Sequence, residues 1–328
     1  MPPIVEVKHL KKYFEVPHGM LHAVDDVSFS MEKGSSLGVV GESGCGKSTL
    51  GRTIIHLLES TDGQILFNGE DITHVNRSEL AQLRQKMQII FQDPFSSLNP
   101  RYTVADTIRE PLVMSKRFSS AEIDAETERI MDMVGLAKRL KLSYPHELDG
   151  GRRQRLGIGR ALALKPDFVV CDEPVSALDV SIQAQILNLI QDLQDEYGLS
   201  FMFITHDLSV VKHVSDHIVV MYMGQMVEKS PTRELFTSPV HPYTKALLSA
   251  IPSIDIHNPT KRIPLTGEVT SPINPKPGCR FASRCPYATP ECAQPQILRE
   301  LAPDHWVACR RAEELNPDFD FISKEDMQ

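Results

Sequence analysis

Residues 39–50 read VVGESGCGKSTL, and this stretch decides the fold. Residues 41–48 fit the pattern of a glycine, any four residues, a glycine, a lysine and a serine, which is too specific to arise readily by chance. The apolar run 37–40 reads as a buried strand and residues 48–58 as the helix after it, the context that a phosphate-binding loop requires. Gly44 and Gly46 let the backbone curl so that amide hydrogens along Gly41, Glu42, Ser43, Cys45 and their neighbours can turn inward toward phosphate oxygens. Lys47 adds a point charge for the outer phosphates, Ser48 offers a hydroxyl to magnesium, and Thr49 stands at the positive end of the helix dipole.

The surrounding composition narrows the class. At 328 residues the chain can bury a full core as one large or two ordinary domains. Its net charge is −8, with both signs mixed along the chain, so there is no basic stripe of the kind that marks nucleic acid as the main partner. No apolar run approaches the roughly 20 residues needed to span a bilayer, and the opening MPPIVEVKHLKKYF lacks the apolar centre of a secretory signal. A cytoplasmic protein is expected. Six cysteines in such a chain argue against a disulfide framework; Cys45 and Cys171 read as small packing residues inside motifs.

Taken in order, residues 4–14 and 21–31 read as strands separated by the turn-like EVPHG, forming an edge sheet ahead of the loop. Tyr13 and Phe14 offer aromatic faces to a base, although an aromatic at a strand end is more often core. Residues 63–68 continue the hairpin pattern and residues 79–86 read as helix. In MQIIFQDPFSSLN, residues 87–99, a short buried strand leads to Gln92 and to a loop opened by Pro94. Gln92 is either a polar strand terminus or a partner for metal-bound water. Apolar spacing of three and four makes residues 104–165 a mostly helical insertion. FVVCDE, residues 168–173, is a buried strand ending in two carboxylates, costly unless they face metal or water: Asp172 would support magnesium and Glu173 would orient or deprotonate water. SALD, residues 176–179, makes a turn before an amphipathic helix at 182–197, and the strand 200–205 ends at His206.

The order GESGCGKST, Gln92, LDGGRRQR, VVCDEP, SALD, ITHD resembles the ATP-binding subunits of ABC transporters over residues 4–235. The resemblance implies an α/β nucleotide-binding domain with a RecA-like phosphate-loop core, an antiparallel β subdomain and a helical signature subdomain. The matching boundaries are 1–95 and 166–235 for core and β subdomain, 96–165 for the helical part and 236–328 for a C-terminal extension. It also implies a head-to-tail dimer with two ATP molecules between subunits. Phe14, or alternatively Tyr13, would stack on adenine. Residues 41–49 would hold phosphates, with Mg²⁺ on Ser48, Gln92 and Asp172. Glu173 would be the catalytic base and His206 the switch histidine. Asp149, Gly150 and Gly151 would face the partner's nucleotide, and Asp179 would cross the interface.

HPYTKALLSAIP at 241–252 and the segment 265–288 are similar to the extension of the dipeptide and oligopeptide importers, as is QDPFSSLNPR at 92–101. That resemblance implies a second homologous ATPase subunit, two transmembrane permease subunits, an extracytoplasmic binding protein and a place on the cytoplasmic face of the membrane. Nickel-chelate and oligosaccharide importers share it. A soluble ABC ATPase acting on nucleic acid or ribosomes would show two cassettes or a long coiled-coil insertion, and neither is present. Cys279, Cys285, Cys292 and Cys309 are separated by five, six and sixteen residues, gaps wider than structural zinc sites favour. Four thiols satisfy the ligand count of a [4Fe–4S] cluster, which importer ATPases of this group are similar in carrying here; free thiols are the alternative.

One position departs from the family. The signature there begins with serine, whose hydroxyl donates to the γ-phosphate across the dimer, whereas this chain has Asp149. A carboxylate cannot donate, and about 4 Å from a phosphate oxygen it costs of order 4 kcal/mol at an effective dielectric near 20. Aspartate starts a helix as well as serine does, and Arg152 stands where it can neutralise the charge. The expectation is a heterodimer with one strong and one weak ATP site.

Overall fold

The computed structural model describes residues 2–251, 262–267 and 271–322. Of the tail segments quoted above, Pro252 and residues 268–270 lie outside the described residues. In chain order the elements begin with β1 (Val5–Val16), β2 (Gly19–Met31), β3 (Ser36–Val40), α1 (Lys47–Ile54), β4 (Asp62–Phe67) and β5 (Glu70–Asp71). Next come α2 (Arg77–Lys86), β6 (Met87–Ile90), α3 (Pro94–Ser97), α4 (Val104–Ser115), α5 (Ser120–Met133), α6 (Gly150–Leu162), β7 (Phe168–Asp172), α7 (Val180–Tyr197) and β8 (Ser200–Ile204). The chain closes with α8 (Leu208–Val214), β9 (His217–Tyr222), β10 (Gln225–Pro231), α9 (Thr232–Thr237), α10 (Pro242–Ser249), β11 (Arg299–Ala302), β12 (His305–Val307) and α11 (Ala312–Leu315).

These elements form two compact units, each assembled from three stretches of chain. The first takes residues 1–4, 31–35 and 74–204. Its strands β6, β7 and β8 run parallel in that order, with Ile90 opposite Cys171 and Asp172 opposite Ile204. Every residue of β7 and β8 is buried, as uninterrupted apolar runs dictate for parallel strands covered on both faces. The helical insertion starts its helices with side-chain caps. Thr103 with Asp106 and Ser119 with Glu122 form reciprocal capping boxes at α4 and α5, satisfying amide hydrogens that a helix start leaves unpaired.

The second unit takes residues 5–30, 36–73 and 205–328. One sheet has the order β2-β1-β4-β5, with β4 antiparallel to both β1 and β5. The other strands run β11-β12-β10-β9-β3: β3 and β9 are parallel, the rest antiparallel. A returning tail segment covers the edge strand β2, where His22 N donates to Pro272 O and Asn274 N to Met20 O, at 3.0 and 2.9 Å.

Glu228 of β10 fastens the extension. Its fully buried carboxylate accepts from Val240 N (2.8 Å) and His241 N (2.9 Å), and pairs with His305 Nε2 of β12 (2.7 Å). Beside it Val240, Leu301, Val307 and Ala312 form an apolar cluster capped by Phe319 and Phe321.

Two local expectations are corrected. The helix after the phosphate loop ends at Ile54, because His56 turns left-handed at φ 56° and the amides of Leu57 and Leu58 fold back onto Arg52 O. The segment after Gln92 is not an open loop but the short helix α3. Asp93 accepts from Phe95 N at 2.8 Å, and Pro94 stands first in the helix, where its missing N–H costs nothing.

Candidate functional site

Residues 41–48 fold as the motif requires. Gly41, Gly44 and Gly46 all have positive φ, at 151°, 77° and 104°. A Cβ on Gly46 would stand 1.9 Å from Ala23 O, and one on Gly41 2.2 Å from Met221 O, so backbone on both sides forbids any larger residue. Lys47 Nζ reaches across the loop to Gly41 O (2.8 Å) and Glu42 O (3.0 Å), bracing the curl while its charge stays at the loop's centre. Burial pushes the Cys45 and Cys171 thiols up, which fits packing rather than reactivity.

The loop's first non-glycine residue is held from the C-terminal extension. Tyr243 Oη accepts from Glu42 N at 2.9 Å, and Arg284 grips the Glu42 carboxylate through two parallel contacts of 2.6 and 3.0 Å. The hydrogen bonds to Glu42 hold the Arg284 guanidinium well above its ordinary range. Tyr13 and Phe14 alternate across β1. The Tyr13 hydroxyl donates to Asp25, which Arg280 also engages, and its ring stacks on His22 at 3.9 Å between centroids. Burial, then the bond to Asp25, pushes the Tyr13 phenol up. Phe14 is half-buried, with Lys12 Nζ 4.8 Å from its ring centre. His206 is exposed in the turn before α8, whose N-cap is Asp207.

In the other unit, Gln92 Nε2 donates to Glu173 Oε2 at 2.7 Å, joining two residues 81 positions apart in sequence. Glu173 holds φ 49°, a left-handed conformation that costs a non-glycine residue of order 1–3 kcal/mol and clusters at working sites. Asp172, one residue before it, is 1% exposed at the end of β7. Asp149 is the N-cap of α6: it accepts from Arg152 N at 2.8 Å, and the Arg152 guanidinium lies 3.2 Å from its other oxygen. The two glycines after it serve packing as well. A Cβ on Gly151 would meet Ile182 at 2.9 Å and one on Gly150 would meet Leu178 at 3.1 Å, so the signature helix is pressed onto the turn that contains Asp179.

This arrangement has the hallmarks of a nucleotide-driven machine, and similarity to known proteins identifies it. The model for ABC transporters matches residues 24–176, and that for the oligopeptide/dipeptide transporter C-terminal region matches residues 227–292. The oligopeptide transport ATP-binding protein AppF of Bacillus subtilis is 49% identical over 318 residues, 93% of this chain and 96% of its own length. The chain belongs to the ATP-binding subunits of the oligopeptide and dipeptide group of ABC transporters. OppF of Salmonella typhimurium, an oligopeptide transport ATP-binding protein, is 49% identical over 94% of both chains. DppF of Haemophilus influenzae, a dipeptide transport ATP-binding protein, is 48% identical over 94% of this chain and 96% of its own. Among solved structures, cbiO1 of Clostridium perfringens, part of the ABC transporter complex cbiONQ, superposes with a TM-score of 0.66. It is 26% identical and covers 73% of this chain and 92% of its own. This ABC ATPase therefore hydrolyses ATP, and among its described residues no helix is long and apolar enough to cross a membrane.

Cys279, Cys285, Cys292 and Cys309 all line one small cavity in the extension. Burial, with the neighbouring thiols adding to it, pushes Cys279 up to about 12. Among the described residues no three His, Cys, Asp or Glu side chains are drawn together tightly enough for a single metal ion. Four thiols around one cavity supply the ligand count of a four-cysteine site. Sequence reasoning overlooked Arg280, Arg284 and Tyr243. The only signal was an arginine beside each of the first two cysteines, which looked like ordinary loop composition.

Proposed function

We propose that this chain is one of two homologous ATPase subunits, in a heterodimer, that power peptide import through two membrane permease subunits fed by an extracytoplasmic binding protein. The subunit would sit peripherally on the cytoplasmic face. The observation carrying the peptide assignment is the similarity of 46–49% to relatives named for oligopeptide, dipeptide or peptide transport, over nearly their whole length. In this reading Lys47 and the amides of residues 41–49 hold the phosphates, and Phe14 stacks on adenine, since the Tyr13 ring is already taken by His22 and its hydroxyl by Asp25. Ser48, Gln92 and Asp172 are oxygen donors of the hard kind that magnesium prefers, and they would hold it. Glu173 takes the proton of the attacking water and His206 answers to the γ-phosphate. Asp149, Gly150, Gly151 and Asp179 face the second subunit. Cys279, Cys285, Cys292 and Cys309 would hold a [4Fe–4S] cluster, which when bound would cross-link the extension and offer a one-electron couple.

The test is ATP turnover by the assembled transporter in vesicles, with binding protein loaded by dipeptide, longer peptide, nickel chelate or oligosaccharide. Peptide should stimulate turnover, and Glu173→Gln should lower it 10²–10⁴-fold while Mg-ATP still binds. Stimulation by a chelate or sugar alone would overturn the peptide assignment. An unchanged rate in Glu173→Gln would remove Glu173 as the base.

A further inference from the structure

The segment bearing the cysteines touches the phosphate loop directly. Arg284, one residue before Cys285, has a side chain only 6% exposed and meets the Glu42 carboxylate through both terminal nitrogens, at 2.6 and 3.0 Å. Such a fork-to-fork contact fixes orientation as well as distance. Arg284 Nη1 also lies 3.4 Å from Tyr222 Oη. Tyr243 closes the other side by accepting from Glu42 N at 2.9 Å. Phe281, between the first two cysteines, packs against both tyrosine rings at 5.3 Å. Glu42 is thus held by backbone and side chain together, from residues about 200 and 242 positions downstream.

We infer that Arg284 and Tyr243 are positioning residues for the phosphate loop, setting its affinity for the nucleotide's phosphates without touching them. Two physical effects act with the same sign. Glu42 is an acidic residue inside a polyanion-binding loop, and Arg284 cancels its charge where repulsion with phosphate would be greatest. The Tyr243 bond also fixes the first peptide after Gly41, so the amides that follow are presented already curled rather than being ordered at binding. An element that preorganises the loop changes ground-state and transition-state binding together, so it moves KM and leaves kcat nearly alone.

The experiment compares full-length wild type with Arg284→Met, Tyr243→Phe, Glu42→Gln and the Glu42→Gln/Arg284→Met double variant. Equilibrium binding of a fluorescent ADP analogue is measured with magnesium present, alongside steady-state ATP hydrolysis. Arg284→Met should raise the nucleotide Kd and the KM for ATP about tenfold, equivalent to about 1.4 kcal/mol, with kcat within twofold. Tyr243→Phe should raise both about threefold. The double variant should bind better than Arg284→Met alone, because removing the Glu42 charge removes what Arg284 neutralises. If Arg284→Met fails to fold, Tyr243→Phe carries the same test, since it deletes one oxygen. Nucleotide Kd within a factor of 1.5 of wild type in Tyr243→Phe, or a fall in kcat with KM unchanged, would overturn the inference.

Discussion

Replacing Glu228 by glutamine isolates the bond that fastens the extension. The carboxylate is fully buried and meets three partners: Val240 N and His305 Nε2 on one oxygen, His241 N on the other. A glutamine amide has one acceptor oxygen, and its nitrogen must face a backbone N–H in either orientation. At least one charge-assisted bond is lost, worth about 1.5–3 kcal/mol, and a buried donor is left unpaired at about 1–3 kcal/mol more. Part of this is offset because a buried charge no longer has to be kept out of water. A net loss of about 3 kcal/mol is expected. Trp306 is the only tryptophan and pairs with Lys229, next to Glu228, so its fluorescence reads this hairpin. In a urea titration the Trp306 transition of Glu228→Gln should move down by about 1 M or more, taking a slope near 3 kcal/mol per molar. A midpoint shift under about 0.2 M would refute the reasoning and make the three contacts incidental.

Acid should loosen the same region. Burial depresses His241 to about 4, with Glu228 pulling partly the other way, against 6.5 ordinarily. Between those values the unfolded chain binds the proton and the folded chain does not. The stabilisation is therefore complete above pH 6.5 and lost as pH falls toward 4, by up to about 3 kcal/mol. His241→Asn keeps an acceptor for Tyr243 N and should flatten the stability profile in that window; an unchanged slope contradicts a neutral buried His241. Asp149→Ser removes a carboxylate that is 60% exposed and already paired with Arg152, so solvent and the ion pair discount the bare repulsion to about 1 kcal/mol. In the assembled transporter the weaker ATP site should tighten about fivefold, and identical affinity at both sites before and after would end the idea of asymmetric sites.

Much of this was legible in the sequence because the relevant signals are local. The runs FVVCD and SFMFI announce strands covered on both faces, and the glycines of residues 41–46 fix a loop whose chain path leaves no alternative. The start of the signature helix was readable from Asp149, whereas the capping boxes at Thr103 and Ser119 went unread beside the apolar spacing of their helices. Contacts made by charged residues far apart in sequence were not. Nothing adjacent to Arg284 mentions Glu42, and the bond from Gln92 to Glu173 exists only once β6 and β7 are paired. Strand β10 escaped notice because its polar members, Glu228 and Lys229, are buried by partners that arrive later in the chain.

The distance of 242 residues between Glu42 and Arg284 has a consequence during synthesis. A ribosome adds about 5–20 residues per second, so the loop at residues 41–48 emerges roughly 12–50 seconds before the arginine that holds it. A chain cut short between residues 48 and 284 carries the whole phosphate-binding motif and lacks both the guanidinium and the β11–β12 hairpin that complete its unit. Such a fragment should grip nucleotide poorly, because nothing yet neutralises the Glu42 carboxylate beside the phosphates.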